Sequence, residues 1–420
     1  MKEFNAATWA VKPPRLLLLQ GPVGPFFKEL ALELENQGAE VQHMVFGPHD
    51  SAYTARSCAV AAVSDLTGFQ KELTQILKTG IDVVVLFGSE RPAHKIARHI
   101  ADLTNTPVVC FEEGYIRPGF ITCEFGGNNA SSPIAKWDLS ELDRSQTSRR
   151  KGTNFKGFWP MVWYGFNVYL RRGLFANRRQ REYFHRELPL TSEAFHWSRN
   201  VFRKYVIGPR HHAVLRSLTQ KHSGNIFVVA LQVPSDANIL KAAKGWNTPK
   251  LVERSIGSFA RHAPATAQLV FKIHPMARGH SNDQELINKT ARKHGIQDRV
   301  KVVHEGSIAE LMGHTSGMLT INSTSGLSAL HHGVPVLVFG QSIFTHSQLV
   351  SLYQSNEDID RFWTAGFTAP AEVRQAFLHK IEENSLVPGD FYAANGRKQA
   401  VLHSAKKILE SARVPELVGD

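Results

Sequence analysis

The chain has 420 residues, 42% of them hydrophobic, which is enough apolar material for large cores in two or three domains. Three cysteines, Cys58, Cys110 and Cys123, are too few and odd in number for a disulfide framework and point to a reducing compartment. The net charge of +12 calls for a polyanionic partner: nucleic acid, an anionic membrane surface or a phosphorylated substrate.

The N-terminus, MKEFNAATWAVKPPR, has no apolar core for a secretory signal, and no apolar run approaches the ~20 residues that span a bilayer. A cytosolic chain is therefore expected. RLLLLQ (15–20) reads as a buried strand running into GPVGPFF and then an amphipathic helix. Pro22 and Pro25 remove two backbone donors from that turn, and G-x-G-x-x-G spacing is absent, so it is a poor phosphate nest. Gly21 and Gly24 suit either a tight turn or the close approach of an acceptor. AEVQHMVF (39–46), DVVVLFG (82–88) and PVVCFEE (107–113) continue the pattern of apolar strands separated by helices. That pattern is the signature of a parallel sheet covered on both faces.

FEEGYIRP (111–118) follows the last of these strands. Glu112 and Glu113 stand where open α/β sheets meet their ligands, and neighbouring side chains on a strand point to opposite faces. One glutamate can face a cleft as a general acid–base while the other pairs with Arg117; a plain surface ion pair is the competing reading.

From Ser145 to Arg181 the chain has no acidic residue, nine Lys or Arg and eight aromatics. Its apolar part, GFWPMVWYGFNVYL, is too short to span a bilayer, and Pro160 is expected to interrupt it. Basic flanks around Trp159, Trp163, Tyr164 and Tyr169 suit a membrane interface. Packing between domains and stacking on single-stranded nucleic acid are the other readings.

The strand–helix grammar returns at NIFVVALQ (225–232), AQLVFKIH (267–274), RVKVVHE (299–305), GMLTIN (317–322) and PVLVFG (335–340). Gln232 and Asp236 lie at the first strand end, where Asp236 is either a carboxylate at the mouth of the second domain or an ordinary turn residue. Lys272 and His274 are two apart on a strand and project to one side, with Arg278 close behind; cations gathered at a strand end suit a phosphate. In INSTSGLSALHHGVP, Asn322 or Ser323 caps a helix that Gly333 and Pro335 end. Ser323, Thr324 and Ser325 make its start the better anion site. No cysteine or histidine spacing indicates zinc, and Asp358-Ile359-Asp360 reads as a solvated helix start rather than a metal motif.

Two Rossmann-like domains with a phosphate site in the second suggest a GT-B-like α/β fold facing a cleft. The expected division is an acceptor domain over 1–145, a basic aromatic helical insertion over 146–205, a nucleotide-sugar domain over 206–390 and a C-terminal helix over 391–420. QGPVGPFF, FEEGYIRPGFIT, LQVPSDANI, KIHPMARG and NSTSGLSALHHGVPV, in that order, resemble the capsular polysaccharide β-Kdo transferase family, KpsS type. The resemblance runs from about residue 15 to 365. It implies a retaining β-Kdo transferase that takes Kdo from CMP-Kdo, with no further cofactor and no metal. The acceptor it implies is phosphatidylglycerol or lyso-phosphatidylglycerol. The implied place is peripheral on the cytoplasmic side of the inner membrane, beside a KpsC-type transferase and the capsule exporter, with no nucleic acid. The implied roles are Asp236 as nucleophile and Glu113 or Glu112 as general acid–base. Lys272, His274, Ser323, Thr324, Ser325 and Gln232 hold the donor, and the C-terminal helices cross back to the first domain. IFTHSQLV, after the last glycine, departs from the acidic, proline-containing turn of the family. A non-catalytic export or scaffold protein at the membrane, or a transferase of another nucleotide sugar, stays open.

Overall fold

The computed structural model describes residues 12–147, 152–183, 199, 208–232, 242–273 and 282–412. In chain order the first elements are β1 (Arg15–Leu18), α1 (Phe26–Asn36), β2 (Glu40–Val45), α2 (Pro48–Ser51), β3 (Ala59–Ala61), α3 (Phe69–Leu77), β4 (Val83–Phe87), α4 (Pro92–Leu103), β5 (Val108–Glu113) and β6 (Phe120–Phe125). After α5 (Phe158–Phe175) and α6 (Arg178–Glu182) come α7 (Gly208–Lys221), β7 (Ile226–Ala230), α8 (Thr248–His262), β8 (Gln268–Lys272), α9 (Asp283–Lys293), β9 (Val300–Val303), α10 (Ile308–Met312), β10 (Thr315–Thr320), α11 (Ser325–His332) and β11 (Val336–Val338). The chain ends with β12 (Ser351–Leu352), α12 (Asn356–Ala365), α13 (Ala371–Ser385), β13 (Leu386–Pro388) and α14 (Ala394–Ala412).

These elements form two α/β units. One takes residues 1–128, 150–187 and 384–420; the other takes 129–149 and 188–383. The first unit's sheet has the order β13-β6-β5-β4-β1-β2-β3, parallel from β5 to β3. The second unit's sheet, β12-β11-β10-β7-β8-β9, is parallel throughout. These are the two Rossmann-like units that the alternation of apolar strands and helices leads one to expect.

The strands are apolar along their whole length because each sheet is covered on both faces. On one face of the first sheet, Leu16, Leu18, Val85 and Phe111 pack with Phe26 and Leu30 of α1 and with Val401 and Ile408 of α14. On the other, Leu17, Val84 and Leu86 pack with Phe69 and Leu73 of α3 and Ala97 and Ile100 of α4. In the second unit, Phe227, Leu269 and Leu319 meet Ile256 and Phe259 of α8 and Phe362 and Trp363 of α12.

Chain order reverses direction at one place in each sheet. In the first, β1 leads outward to β2 and β3, while β4 and β5 lie on its other side; in the second, β7 leads to β8 and β9, while β10 and β11 lie opposite. Ligands of open α/β sheets bind beyond the carboxyl ends of the strands at such reversal points.

Two local expectations are corrected. Pro160 does not interrupt the apolar stretch. Gly157 caps α5, and Pro160 falls in the first turn, where its missing N–H has no intrahelical partner to lose, so the helix runs on to Phe175. At α11 the helix starts one residue later than expected, at Ser325 after Thr324, but Thr324 makes no side-chain cap; Ser323 supplies it, its Oγ accepting the Ser325 N–H at 3.2 Å. Gly333 ends that helix in the left-handed region (φ 71°).

Candidate functional site

In the first unit a cavity of about 210 Å³ opens at the reversal point between β1 and β4. Its walls come from four places: the Gln20–Gly24 turn after β1, His43 on β2, His49 and Asp50 on α2 with Tyr53 beyond, and Arg91 before α4; Val168 and Tyr169 of α5 close it. The glycine turn is thus both structural and site-lining. Gly24 has φ +102°, and a Cβ there would come within 2.6 Å of the Tyr164 ring, so only glycine lets α5 approach this closely.

The polar groups of the cavity form one network. Asp50 accepts from the Phe46 N–H at 3.1 Å and from Gln20 Nε2 at 3.4 Å, and its Oδ2 lies 3.3 Å from His49 Nε2. Burial on its own would raise the Asp50 carboxyl; the His49 ring and the Phe46 N–H outweigh it and hold the group below its ordinary range, as a carboxylate. Arg91 Nη1 donates to Gln20 Oε1 and to the Gly21 carbonyl, both at 3.0 Å, and its guanidinium lies 5.0 Å from the centre of the Phe87 ring. Burial lowers the Arg91 pKa, while Glu112 and then Asp50 oppose the shift. His43 is buried, and its Nδ1 has no hydrogen-bond partner among the described residues. Burial takes its pKa down to about 4 against the pull of Asp50 and of a hydrogen bond to the Leu19 backbone, so the ring is neutral; its one N–H goes to Leu19, which leaves Nδ1 as an acceptor.

The adjacent glutamates of β5 face opposite ways, as strand geometry requires. Glu113 is the one beside Arg117, at 3.8 Å, and it accepts from Tyr392 OH at 2.9 Å. Burial and then Glu113 push the Tyr392 hydroxyl well above its usual pKa, which keeps it a donor. Glu112 lies on the other face, beside Gly88 and 3.5 Å from Asn128 Nδ2, with its charge acting on Arg91.

In the second unit, Ala230 of β7 is in register with Lys272 of β8 on one side and Thr320 of β10 on the other. Gln232, Lys272 and Ser323 to Ser325 therefore leave the carboxyl ends of three neighbouring strands at that sheet's reversal point. Lys272 is buried, and its Nζ donates to the His304 carbonyl at 3.0 Å. The His304 ring stacks on His211, centroids 5.0 Å apart, and the His304 N–H donates to His211 Nδ1 at 3.2 Å. Ser323 Oγ takes the Ser325 N–H at 3.2 Å and stands 3.0 Å from Ser325 Oγ. The Gln232 side chain is half-buried, and its Oε1 has no hydrogen-bond partner among the described residues. Asp236 and His274 lie outside the described residues. Asp358 is a helix-start residue, accepting the Ser355 and Gln354 N–H groups at 2.7 and 2.8 Å; Asp360 takes the Ser258 hydroxyl and the His262 ring.

The sequence reading missed His43, His49, Asp50 and Arg91. The available signal was position: each belongs to or follows one of the apolar strands β2 and β4, the two that flank β1. The helix α5 carries a second feature. Trp159, Trp163, Phe166, Leu170 and Leu174 recur at steps of four, three, four and four, which lines them along one helix face, and all are exposed, Trp159 by 64% and Trp163 by 63%. Val168 and Arg172 are its buried residues. No described helix is long and apolar enough to cross a membrane.

A profile of capsule polysaccharide biosynthesis proteins matches residues 82–392. The chain is 30% identical over 396 residues to the capsule polysaccharide export protein KpsS of Escherichia coli, covering 92% of this chain and 99% of that one. It is 30% identical over 389 residues to the capsule polysaccharide modification protein LipB of Neisseria meningitidis serogroup B, covering 90% and 91%. Among solved structures it aligns with the β-Kdo 2,7 transferase of Thermosulfurimonas dismutans KpsC at 13% identity and a TM-score of 0.43, over 94% of this chain and 99% of that one.

Proposed function

The chain belongs to the capsule polysaccharide biosynthesis protein family, and on that premise we propose that it is a retaining glycosyltransferase that moves Kdo from CMP-Kdo to phosphatidylglycerol or its lyso form at an anionic membrane surface. The observation that carries the reading is the meeting of Gln232, buried Lys272 and the Ser323–Ser325 helix start at the carboxyl ends of three adjacent strands. A buried cation and a helix N-terminus stabilise the charge that builds on a departing phosphate.

In this mechanism the bond between the anomeric carbon of Kdo and the cytidylate oxygen breaks, and its electron pair leaves with CMP. Lys272, His274 and the α11 start hold that charge. Asp236 forms the carboxylate ester with the anomeric carbon. The glycerol hydroxyl of the acceptor then attacks the same carbon, a glutamate takes its proton, and Asp236 departs as a carboxylate. Two displacements retain configuration. Of the two glutamates we take Glu112 as the base, because it lies on the face toward Arg91, whereas Glu113 points to Arg117 and Tyr392.

The membrane partner rests on α5. Its apolar stripe is flanked by exposed Lys156, Arg171 and Arg178, so an anionic bilayer complements both features, rings at the apolar boundary and cations at the headgroups.

The test is incubation with CMP-Kdo and fluorescent phosphatidylglycerol, reading CMP release, product mass and anomeric configuration. One added β-linked Kdo is expected. Lys272→Met, which keeps the buried stem, should lower the rate about 100-fold or more with an unchanged melting curve. No lipid-dependent CMP release would turn the reading toward a non-catalytic export or scaffold protein; release from a different nucleotide sugar would reassign the donor.

A further inference from the structure

We propose that the cavity between the Gln20–Gly24 turn and α5 seats the phosphate-bearing polyol headgroup of an anionic lipid, with Arg91 on the phosphate and His43 on a hydroxyl. The identification of that lipid with the glycosyl acceptor rests on the function proposed above; the cavity and its chemistry do not.

Size is the first constraint. About 210 Å³ falls below the ~300–1,000 Å³ of pockets for drug-sized ligands and suits a small head such as glycerol phosphate. Charge is the second. Arg91 uses only Nη1 in hydrogen bonds among the described residues, to Gln20 and Gly21, so the rest of a guanidinium fixed in place is available to an anion. Asp50, the carboxylate in the same wall, is already engaged by the Phe46 N–H, Gln20 and His49. Hydrogen bonding is the third. His43 Nδ1 is an acceptor in a buried ring on the cavity wall, and a ligand hydroxyl is the donor it lacks. A bare phosphate would satisfy Arg91, but its P–OH sits on the same small anion, whereas a polyol head carries hydroxyls set apart from the phosphate.

The fourth constraint comes from α5 and decides between a free phosphate and a lipid. The helix lends Val168 and Tyr169 to the cavity wall and presents Trp159, Trp163, Phe166 and Leu170 on its exposed face. One helix thus joins a polar head site to an apolar surface about one helix diameter, roughly 10 Å, away. An amphiphile satisfies both; a soluble phosphate satisfies only the first.

The experiment uses the full chain and neither CMP-Kdo nor turnover, so failure of the head site and failure of Kdo transfer register separately. Glycerol phosphate and inorganic phosphate are titrated by calorimetry. Binding to vesicles of phosphatidylglycerol and of phosphatidylserine at equal charge is measured by sedimentation. Expected are saturable glycerol phosphate binding, weaker inorganic phosphate binding, and a preference for phosphatidylglycerol vesicles. Arg91→Gln, which removes the cation, and Val168→Phe, which fills the space, should each weaken glycerol phosphate binding by about tenfold or more and erase the vesicle preference. Both should still bind phosphatidylserine vesicles through α5 and keep the wild-type circular dichroism spectrum at the assay temperature, with Arg91→Gln melting somewhat earlier because Gln20 and Gly21 lose a donor. If Val168→Phe misfolds, Arg91→Gln decides alone. Unchanged glycerol phosphate binding in Arg91→Gln overturns the site. Glycerol phosphate binding with no preference among vesicles overturns the lipid and leaves a free phosphoester as the ligand.

Discussion

A histidine sealed from water stays neutral, because its cation has no solvent around it. Burial lowers His43 from 6.5 to about 4, with Asp50 opposing, and lowers His94 to about 3, with the Arg91 charge adding to the effect. In the unfolded chain both rings take up protons as pH falls through 6.5, while the folded chain refuses them until near 4. Stability is therefore constant above this window and declines as pH falls across it. At about 1.4 kcal/mol per pKa unit, His43 alone costs a few kcal/mol by the bottom of the window. Asp50 acts in the same direction but lower on the scale, since its lowered pKa adds stability that is lost only as pH falls below the ordinary carboxylate value of 3.8. The urea midpoint should fall between about pH 7.5 and pH 5, and His43→Gln should fall less over the same interval. An equal fall in the variant would mean that His43 is not the group responsible. The same residues show what the sequence conceals. The glutamate pair was legible because both members sit in one word at a strand end. His43, His49, Asp50 and Arg91 are scattered along the chain, and they converge only because β1 is flanked by β2 and β4, a fact of sheet order rather than of spacing.

Helix α5 poses a question of surface energy. A water-soluble helix buries its apolar stripe, yet here Trp163 and Phe166 stack on each other in the open, ring centres 6.2 Å apart, with Leu170 and Leu174 continuing the line. Trp163→Ser with Phe166→Ser removes apolar area that makes no buried contact. The change should leave the melting temperature nearly where it was, within the ±0.5 kcal/mol usual for surface positions, while binding to phosphatidylglycerol vesicles drops sharply. Reversing the charges of Arg171 and Arg178 should weaken vesicle binding in a salt-dependent way. Arg172 does not belong in that set, because it is buried under the helix. Vesicle binding equal to wild type in both variants would remove α5 as the membrane contact. Composition alone pointed to this block, since no acidic residue and eight aromatics over 145–181 is a strong signal. The long apolar strands were equally plain. β6 and β13 were not: β6 runs antiparallel at the sheet margin, and β13 has three residues, so neither shows the apolar run of a central strand.

At the scale of the whole chain, the first unit is completed from the far end of the sequence. β13 pairs with β6, Leu386 opposite Thr122 and Pro388 opposite Phe120, and supplies the last strand of the sheet. α14 then lays Ala400, Val401, Ala405, Ile408 and Leu409 against the core that holds Leu30 and Leu34 of α1. Arg397 Nε pairs with Glu29 at 2.8 Å, and Lys407 Nζ donates to the Cys123 carbonyl at 2.8 Å. The amphipathic pattern of this segment can be read locally, but its destination cannot, because a face of leucines and alanines names no partner; only resemblance to a family supplied one. The energetic consequence is large. Val387, Phe391, Val401, Ile408 and Leu409 are all buried, and each such side chain contributes about 1.5–3 kcal/mol. Their sum rivals the whole ~5–15 kcal/mol by which a domain is stable. A chain ending at Ser385 should therefore lose the fold of its first unit, while the second unit keeps a core to which none of those residues belongs. Hydrogen exchange should show residues 15–125 unprotected and 226–339 protected, and proteolysis should release the latter intact. Protection of β1, β4 and β5 in the shortened chain, equal to that in the full one, would mean that the first unit holds together without the strand and helix that return to it.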